Sequence, residues 1–74
     1  MGRRGVSTLL VEETLGIPEQ VVEGHDGRLV AQKHTTLHGK DGLLRVVYEE
    51  TTTAFVVVTA YFTTDIARYW RNSS

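Results

Sequence analysis

The chain contains no cysteine and a single proline, Pro18, among its 74 residues. Neither a disulfide nor a thiolate metal site can therefore stabilise it. A domain of this size buries only about 60% of the surface that its unfolded chain exposes, which leaves little margin of stability. Because short domains without such a staple often gain stability by association, we expect a homodimer or a bound partner protein.

Long apolar runs are also missing. The longest, such as residues 55–58, fall far short of the roughly 20 residues that span a bilayer, and no charged-then-apolar leader opens the sequence. We therefore expect a cytoplasmic protein with no membrane partner. The net charge of −1 supplies no overall field that would attract nucleic acid, although the arginines near the termini could form a local patch: Arg3, Arg4, Arg68 and Arg71.

All seven glycines lie within residues 2–42, so the second half of the chain is uninterrupted. Hydrophobic residues at 41% and charged residues at 23% are typical of a packed soluble domain, which we expect to span residues 1–74 with disorder at residues 1–5 and 72–74. Ser7 is a suitable N-cap for a helix of about ten residues that Gly16 ends. That helix is too short to persist without packing on a sheet.

The rest of the chain is typical of antiparallel strands. A short extended segment at residues 19–23 leads through an Asp26-Gly27 turn to a strand over residues 28–38, a turn over residues 39–42 and a strand over residues 43–50. Thr51-Thr52 then reverses the chain into a β-branched run, and Asp65 can begin a helical turn docked by Trp70. We predict an α+β domain in which a short N-terminal helix packs on a three- or four-stranded antiparallel sheet, with a short C-terminal helical turn.

Loop lengths predict which residues share a face of this sheet. A four-residue loop at residues 39–42 and a two-residue loop at Thr51-Thr52 pair Thr36 with Arg45, His34 with Val47, Arg45 with Val58 and Tyr48 with Phe55. The more apolar face, which we expect under the helix, then carries Leu29, Ala31, Lys33, Leu37, Leu44, Val46, Tyr48, Phe55, Val57, Thr59 and Tyr61. The other face carries His34, Thr36, His38, Arg45, Val47, Glu49, Val56, Val58 and Phe62.

An apolar strip on the second face predicts an interface. Val56, Val58 and Phe62 would be exposed there, and a ten-residue helix cannot cover both sides of a four-stranded sheet. We therefore expect these three residues to contact a second copy or a partner protein.

Four segments of the sequence resemble a known family. These are Val-Val-Glu-Gly-x-x-Gly-Arg at residues 21–28, Leu-Arg-Val-Val-Tyr-Glu-Glu at residues 44–50, Val-Val-Val-Thr-Ala-Tyr at residues 56–61 and Arg-Tyr-Trp at residues 68–70. Together they resemble a family of small uncharacterised domains grouped with the RelE, ParE and BrnT toxin-like proteins. The resemblance covers residues 6–71. It departs at the start, where residues 1–5 replace a longer helix that carries a histidine and arginines.

The resemblance implies a helix-plus-antiparallel-sheet fold and an RNA-cleaving or growth-inhibiting toxin with a cognate antitoxin. RNA cleavage through the 2′-hydroxyl needs a base, a cation for the phosphorane charge and an acid. Arg45 can serve as the phosphate ligand, His34 or Glu49 as base and His38 as acid. Arg68 and Arg71 are candidates for nucleic-acid binding. RelE-like sites also use basic and tyrosine side chains, but Lys33 and Tyr61 fall on the presumed core face.

Simpler interpretations stand beside this one. Arg45 can pair with Glu49 or with a partner chain, and the histidines can simply be exposed. In a strand, His34 and His38 lie about 13 Å apart at ~3.3 Å per residue, so they predict no shared metal, and nothing in the sequence indicates a cofactor. The alternative function is a non-catalytic interaction module that forms a homodimer or binds a small antitoxin-like partner.

Overall fold

One short helix, four strands and a C-terminal helical turn make up residues 7–71, the part of the chain that the computed structural model describes. The elements are α1 (Thr8–Gly16), β1 (Gln20–Glu23), a 3₁₀ turn (His25–Gly27), β2 (Leu29–Leu37), β3 (Lys40–Glu50), β4 (Phe55–Thr63) and α2 (Ile66–Tyr69). The predicted α+β class is confirmed. The ends expected to be disordered, residues 1–5 and 72–74, lie outside the described residues, and so do Arg3 and Arg4.

Helix α1 begins and ends as its sequence indicates. The Ser7 side chain accepts a hydrogen bond from the Leu10 amide at 3.1 Å, which confirms the predicted N-cap. At the other end, the Ile17 amide donates to the Glu13 carbonyl at 2.9 Å. Thr14 is the buried residue of the helix, and its hydroxyl donates to the Leu10 carbonyl at 2.8 Å, which satisfies this polar group.

The strands form one antiparallel meander in the order β1-β2-β3-β4. The turn between β2 and β3 is tighter than predicted, because Leu37 pairs with Lys40 and only His38 and Gly39 remain between the strands. Both turn residues have positive φ, 52° and 75°, as a two-residue type I′ hairpin requires. The predicted pairs of Thr36 with Arg45 and His34 with Val47 are therefore wrong.

The turn between β3 and β4 is longer than predicted. Glu50 pairs with Phe55, and residues 51–54 form the loop, in which the Thr51 side chain accepts from the Ala54 amide at 3.0 Å. A threonine can close a loop in this way without glycine, since its hydroxyl replaces a backbone acceptor. The predicted pairs of Arg45 with Val58 and Tyr48 with Phe55 are wrong.

A β-bulge in β4 changes which residues share a face. Val47 pairs with Thr59 and Tyr48 with Val57, so Val58 is an extra residue without an opposite partner. Beyond the bulge the alternation of side chains is inverted relative to the prediction, because one inserted residue exchanges the two faces. Tyr61 therefore lies opposite Arg45, and Phe62 lies opposite Leu44.

Each face of the sheet is covered by a different end of the chain. The helix face, which carries Lys33, packs against α1, where the Lys33 ammonium lies 3.0 Å from the Glu13 carboxylate. The opposite face, here the C-terminal face, carries Gln32 and His34 and contacts the end of α2 and the residues after it, residues 69–71, here the tail. The buried apolar core lies mainly on the two central strands and comprises Val30, Ala31, Leu43, Leu44, Val46 and Tyr48.

Candidate functional site

Arg45 lies in the middle of the C-terminal face, held by neighbours on the two adjacent strands and in the tail. Its Nε donates to the Gln32 side-chain oxygen at 2.6 Å, and its NH1 donates to the Tyr61 hydroxyl. The guanidinium carbon lies 4.1 Å from the centre of the Tyr69 ring, within the range of a cation–π contact. The cation is therefore fixed in place by the register of β2, β3 and β4 together with the docked tail.

Gln32 connects this cation to the tail. The residue is fully buried, and its amide nitrogen donates to the Gln20 side chain at 2.9 Å and to the Tyr69 carbonyl at 3.2 Å. Gln20 in turn accepts from the Arg71 amide at 2.8 Å. Since a buried amide without partners costs free energy, this chain of contacts orders the tail over the sheet.

An open cavity of about 630 Å³ lies beside Arg45 on the C-terminal face. Its walls come from the turn after β1, from β2, β3 and β4, and from the tail. All four arginines of residues 7–71 line it, together with His25, Tyr61, Tyr69 and one carboxylate, that of Glu23: Arg28, Arg45, Arg68 and Arg71. This excess of guanidinium groups, with two phenolic rings between them, makes the cavity suited to an anion.

The arginines differ in how they are held. Arg28 forms an ion pair with Glu49 at 2.9 Å, and both side chains are substantially exposed. Arg68 and Arg71 are exposed, and the Arg68 guanidinium lies 5.4 Å from the centre of the Tyr69 ring. Because exposed guanidinium groups can turn toward a ligand at little cost, Arg68 and Arg71 can contact phosphate oxygens that reach the cavity.

The four residues nominated for RNA cleavage are not brought together. Arg45 and His34 lie on one face, but Glu49 lies four residues beyond Arg45 along β3, about 13 Å at ~3.3 Å per residue, and pairs with Arg28 instead. His38 lies in the β2–β3 turn, away from the cavity. A general base and a general acid from this set therefore do not converge on one phosphate beside Arg45.

His34 is engaged in a separate contact. Its Nδ1 lies 2.7 Å from a Glu19 carboxylate oxygen, its amide donates to the same oxygen at 3.1 Å, and its ring lies 4.6 Å from the Trp70 ring. The side-chain hydrogen bond from His34, followed by the one from its amide, lowers the pKa of Glu19 below its ordinary value. This arrangement fixes the orientation of the imidazole and attaches Trp70 to the sheet.

The three residues nominated for a partner interface lie on different parts of the sheet. Val56 lies opposite Glu49, Val58 is the bulged residue, and Phe62 lies on the helix face beside Gly42. Val56 and Val58 are 49% and 43% exposed, whereas Phe62 is half-buried. The expected strip of all three on a single face is therefore wrong, because the bulge exchanges the faces between Val58 and Phe62.

Sequence reasoning missed the cavity and the place of Arg28, His25 and Tyr61 in its lining. Arg28 and His25 belong to the turn before β2. Tyr61 was placed on the wrong face because the sequence does not reveal the bulge at Val58. The His38-Gly39 pair is a signal that could have corrected the β2–β3 register, since a polar residue before glycine is typical of a type I′ turn. Burial of Gln32 opposite Arg45 had no comparable local signal.

Comparison with protein-family models, curated proteins and solved structures found no match for this chain. Neither helix described within residues 7–71 has the length and apolar character needed to cross a membrane. Within the same residues, no group of three or more histidine, aspartate or glutamate side chains is arranged to hold a metal ion.

Proposed function

We propose that this chain is a toxin-like protein of the RelE/ParE kind that acts on RNA by binding it in the arginine-lined cavity. The observation that carries this proposal is the gathering of Arg28, Arg45, Arg68 and Arg71 around one opening. Guanidinium groups match the geometry of phosphate oxygens and can bind them with paired hydrogen bonds. The four arginines therefore supply a positive potential at the cavity, although the net charge of −1 gives the whole chain no attraction for RNA.

Single-stranded RNA is the form that the cavity suits best. Tyr61 and Tyr69 line it beside the arginines. Aromatic rings next to a cationic groove can stack with unpaired bases, whereas the bases of a duplex are already stacked on one another. Binding is the step that the geometry supports, since the groups nominated for cleavage are dispersed.

RNA binding can be measured by fluorescence anisotropy with a labelled single-stranded RNA over a series of salt concentrations. We expect Arg68→Ala and Arg71→Ala each to weaken binding and to reduce the slope of log affinity against log salt by ~0.7, the value for one phosphate contact with a single strand. Lys40→Ala is the matched control, because it removes one exposed cation outside the cavity. Binding that is independent of salt, or equally weakened by Lys40→Ala, would falsify the proposal.

Toxicity needs its own experiment. Induced expression of the wild-type chain should arrest bacterial growth, and the combined Arg68→Ala and Arg71→Ala variant should relieve the arrest while Lys40→Ala does not. Arg45→Ala should also relieve it, but this variant loses the contacts with Gln32 and Tyr61 and so tests folding as well. Normal growth with the wild-type chain would count against a toxin and leave RNA binding to be judged separately.

A second candidate function is a non-catalytic interaction module that binds a second copy or a small antitoxin-like protein. The observation that favours it is the exposure of the apolar side chains at the start of β4. A strand at the edge of a sheet can bind another strand through its backbone, with side-chain contacts adding specificity.

A further inference from the structure

The outer edge of β4 is exposed in a way that RNA binding does not explain. Phe55, Val56, Val57 and Val58 are 51%, 49%, 43% and 43% exposed, and they point to both faces of the sheet. β4 is the last strand in the sheet, and within residues 7–71 no other strand pairs with its outer edge. Backbone donors and acceptors of the edge are therefore available beside apolar side chains.

The strand has little of the usual protection of an open edge. Residues 55–63 contain no charged residue and no proline, the two kinds of residue that most often prevent one sheet from pairing with another. The bulge at Val58 is a partial protection, but residues 55–57 precede it in regular alternation with β3. The residues that follow Thr59 are half-buried, so a new strand would bind along residues 55–59.

We infer that a second copy of this chain docks on β4, with the two β4 strands antiparallel about a two-fold axis at Val57. This inference deepens the second candidate function by naming the partner. In this arrangement Phe55 meets Thr59 of the other copy and Val56 meets Val58, so no charge is buried. A second copy always supplies a neutral strand of the same length, whereas a charged partner would leave an ion unpaired beside valines.

Pairing of this kind joins the two sheets into one of eight strands. A two-fold axis perpendicular to the sheet leaves equivalent faces on the same side, so the two C-terminal faces become continuous. The cavity reaches β4, because Val58, Thr59 and Tyr61 line it, and the two cavities therefore lie on either side of the new contact. The dimer thus presents a single surface with eight arginines, twice the four of each copy.

Oligomeric state provides the first test. Sedimentation of the full chain should show a dimer of 8.3 kDa subunits at high micromolar concentration. Val57→Lys should abolish the dimer, since a lysine on the edge places two like charges in contact at the two-fold axis. Leu9→Lys is the matched control, with the same charge change at a 77% exposed residue of α1, and should remain dimeric. Circular dichroism establishes that both variants are folded.

Single cysteines provide the second test, because the chain has none of its own. Antiparallel residues opposite one another have Cα separations of about 4.5–5.5 Å, within the range of a disulfide. Val57→Cys should therefore form a covalent dimer under mild oxidation at least about tenfold faster than Leu9→Cys, since pairing raises the effective concentration of the two thiols.

Three results would overturn the inference: a wild-type monomer at every concentration, a dimer that Val57→Lys leaves intact, or equal oxidation of the two cysteine variants. None of them decides the RNA proposal, which the Arg68→Ala and Arg71→Ala titrations test in monomer and dimer alike. A wild-type dimer that does not bind RNA would remove the first proposed function and leave this inference standing.

Discussion

Polar residues in the sheet are organised around Gln32 and Arg45. The side-chain oxygen of buried Gln32 accepts from Arg45, and its side-chain nitrogen donates to Gln20 and to the Tyr69 carbonyl. Among residues 7–71, no buried side-chain nitrogen or oxygen is left without a hydrogen bond. Arg45 therefore has a structural role in positioning Tyr61 and Tyr69, and the more exposed Arg68 and Arg71 are the better choices for testing ligand binding.

Glu19 gives the protein a pH dependence at the scale of a single residue. Its pKa is lowered in the folded chain, mainly by the hydrogen bond from the His34 side chain. A carboxylate with a lowered folded pKa stabilises the fold above its unfolded pKa, and this contribution is lost as the pH falls through the folded value. Stability that depends on Glu19 should thus be present near neutrality and decline in acid.

Urea denaturation at several pH values tests this dependence. Between about pH 5 and pH 3, the free energy of unfolding should fall more steeply for the wild type than for Glu19→Gln, which cannot ionise. Glu12→Gln, at an exposed carboxylate of α1, is the control and should follow the wild type. Parallel curves for the wild type and Glu19→Gln would show that the contact with His34 is absent in solution.

Gly42 of β3 lies against Phe62 and Thr63 of β4. Gly42 is buried on the helix face, and a Cβ placed there would lie 2.7 Å from the Phe62 ring and in contact with the Thr63 carbonyl. The glycine therefore allows Phe62 to cross over β3. This crossing exists because the bulge at Val58 turns Phe62 toward the helix face.

Gly42→Ala should destabilise the protein by about 1–3 kcal/mol, the usual cost of an added methyl group in a packed site. Gly16→Ala is the control, because a Cβ at Gly16 would meet no atom within 4 Å. Thermal or urea denaturation measures both variants, and Gly16→Ala should equal or slightly exceed the wild type in stability. If Gly42→Ala and Gly16→Ala were equally stable, the added methyl group at Gly42 would meet no close neighbour, and the contact with Phe62 would be contradicted.

At the scale of the whole molecule, packing is concentrated on the two central strands. Leu43, Leu44 and Val46 of β3 are fully buried, whereas the start of β4 is exposed and α1 is a nine-residue helix. Local opening requires less free energy where fewer apolar contacts are broken. The centre of the sheet should therefore open last and its periphery first.

Amide hydrogen exchange at a protein concentration that maintains the monomer tests this order. The amides of Leu43, Leu44 and Val46 should exchange slowest, and those of α1 and of residues 55–57 should exchange earlier. Resolution by residue comes from NMR spectra recorded after transfer to heavy water. Slower exchange in α1 than in β3 would mean that the helix, rather than the central hairpin, is the most stable part.

Local sequence determined the kind of element at most positions. Ser7 caps the start of α1, the helix ends at Gly16 as predicted, and β-branched runs formed strands where they were expected. These are short-range effects, so a single sequence is enough to read them. The prediction that Lys33 lies on the face under the helix was also correct, because side chains alternate between the two faces along β2.

Tertiary structure alone decided the register and hence the site. The lengths of two turns and one bulge set which residue lies opposite Arg45, and a change of one residue exchanges the faces of a strand. Such choices depend on packing summed over the whole sheet, which no short segment contains. The convergence of Arg28 and Arg45 with the neighbouring pair Arg68 and Arg71 follows from that register and from the docked tail. Arg28, Arg45 and this pair are distant in sequence, so they line one cavity only when the sheet and its C-terminal segment are in place.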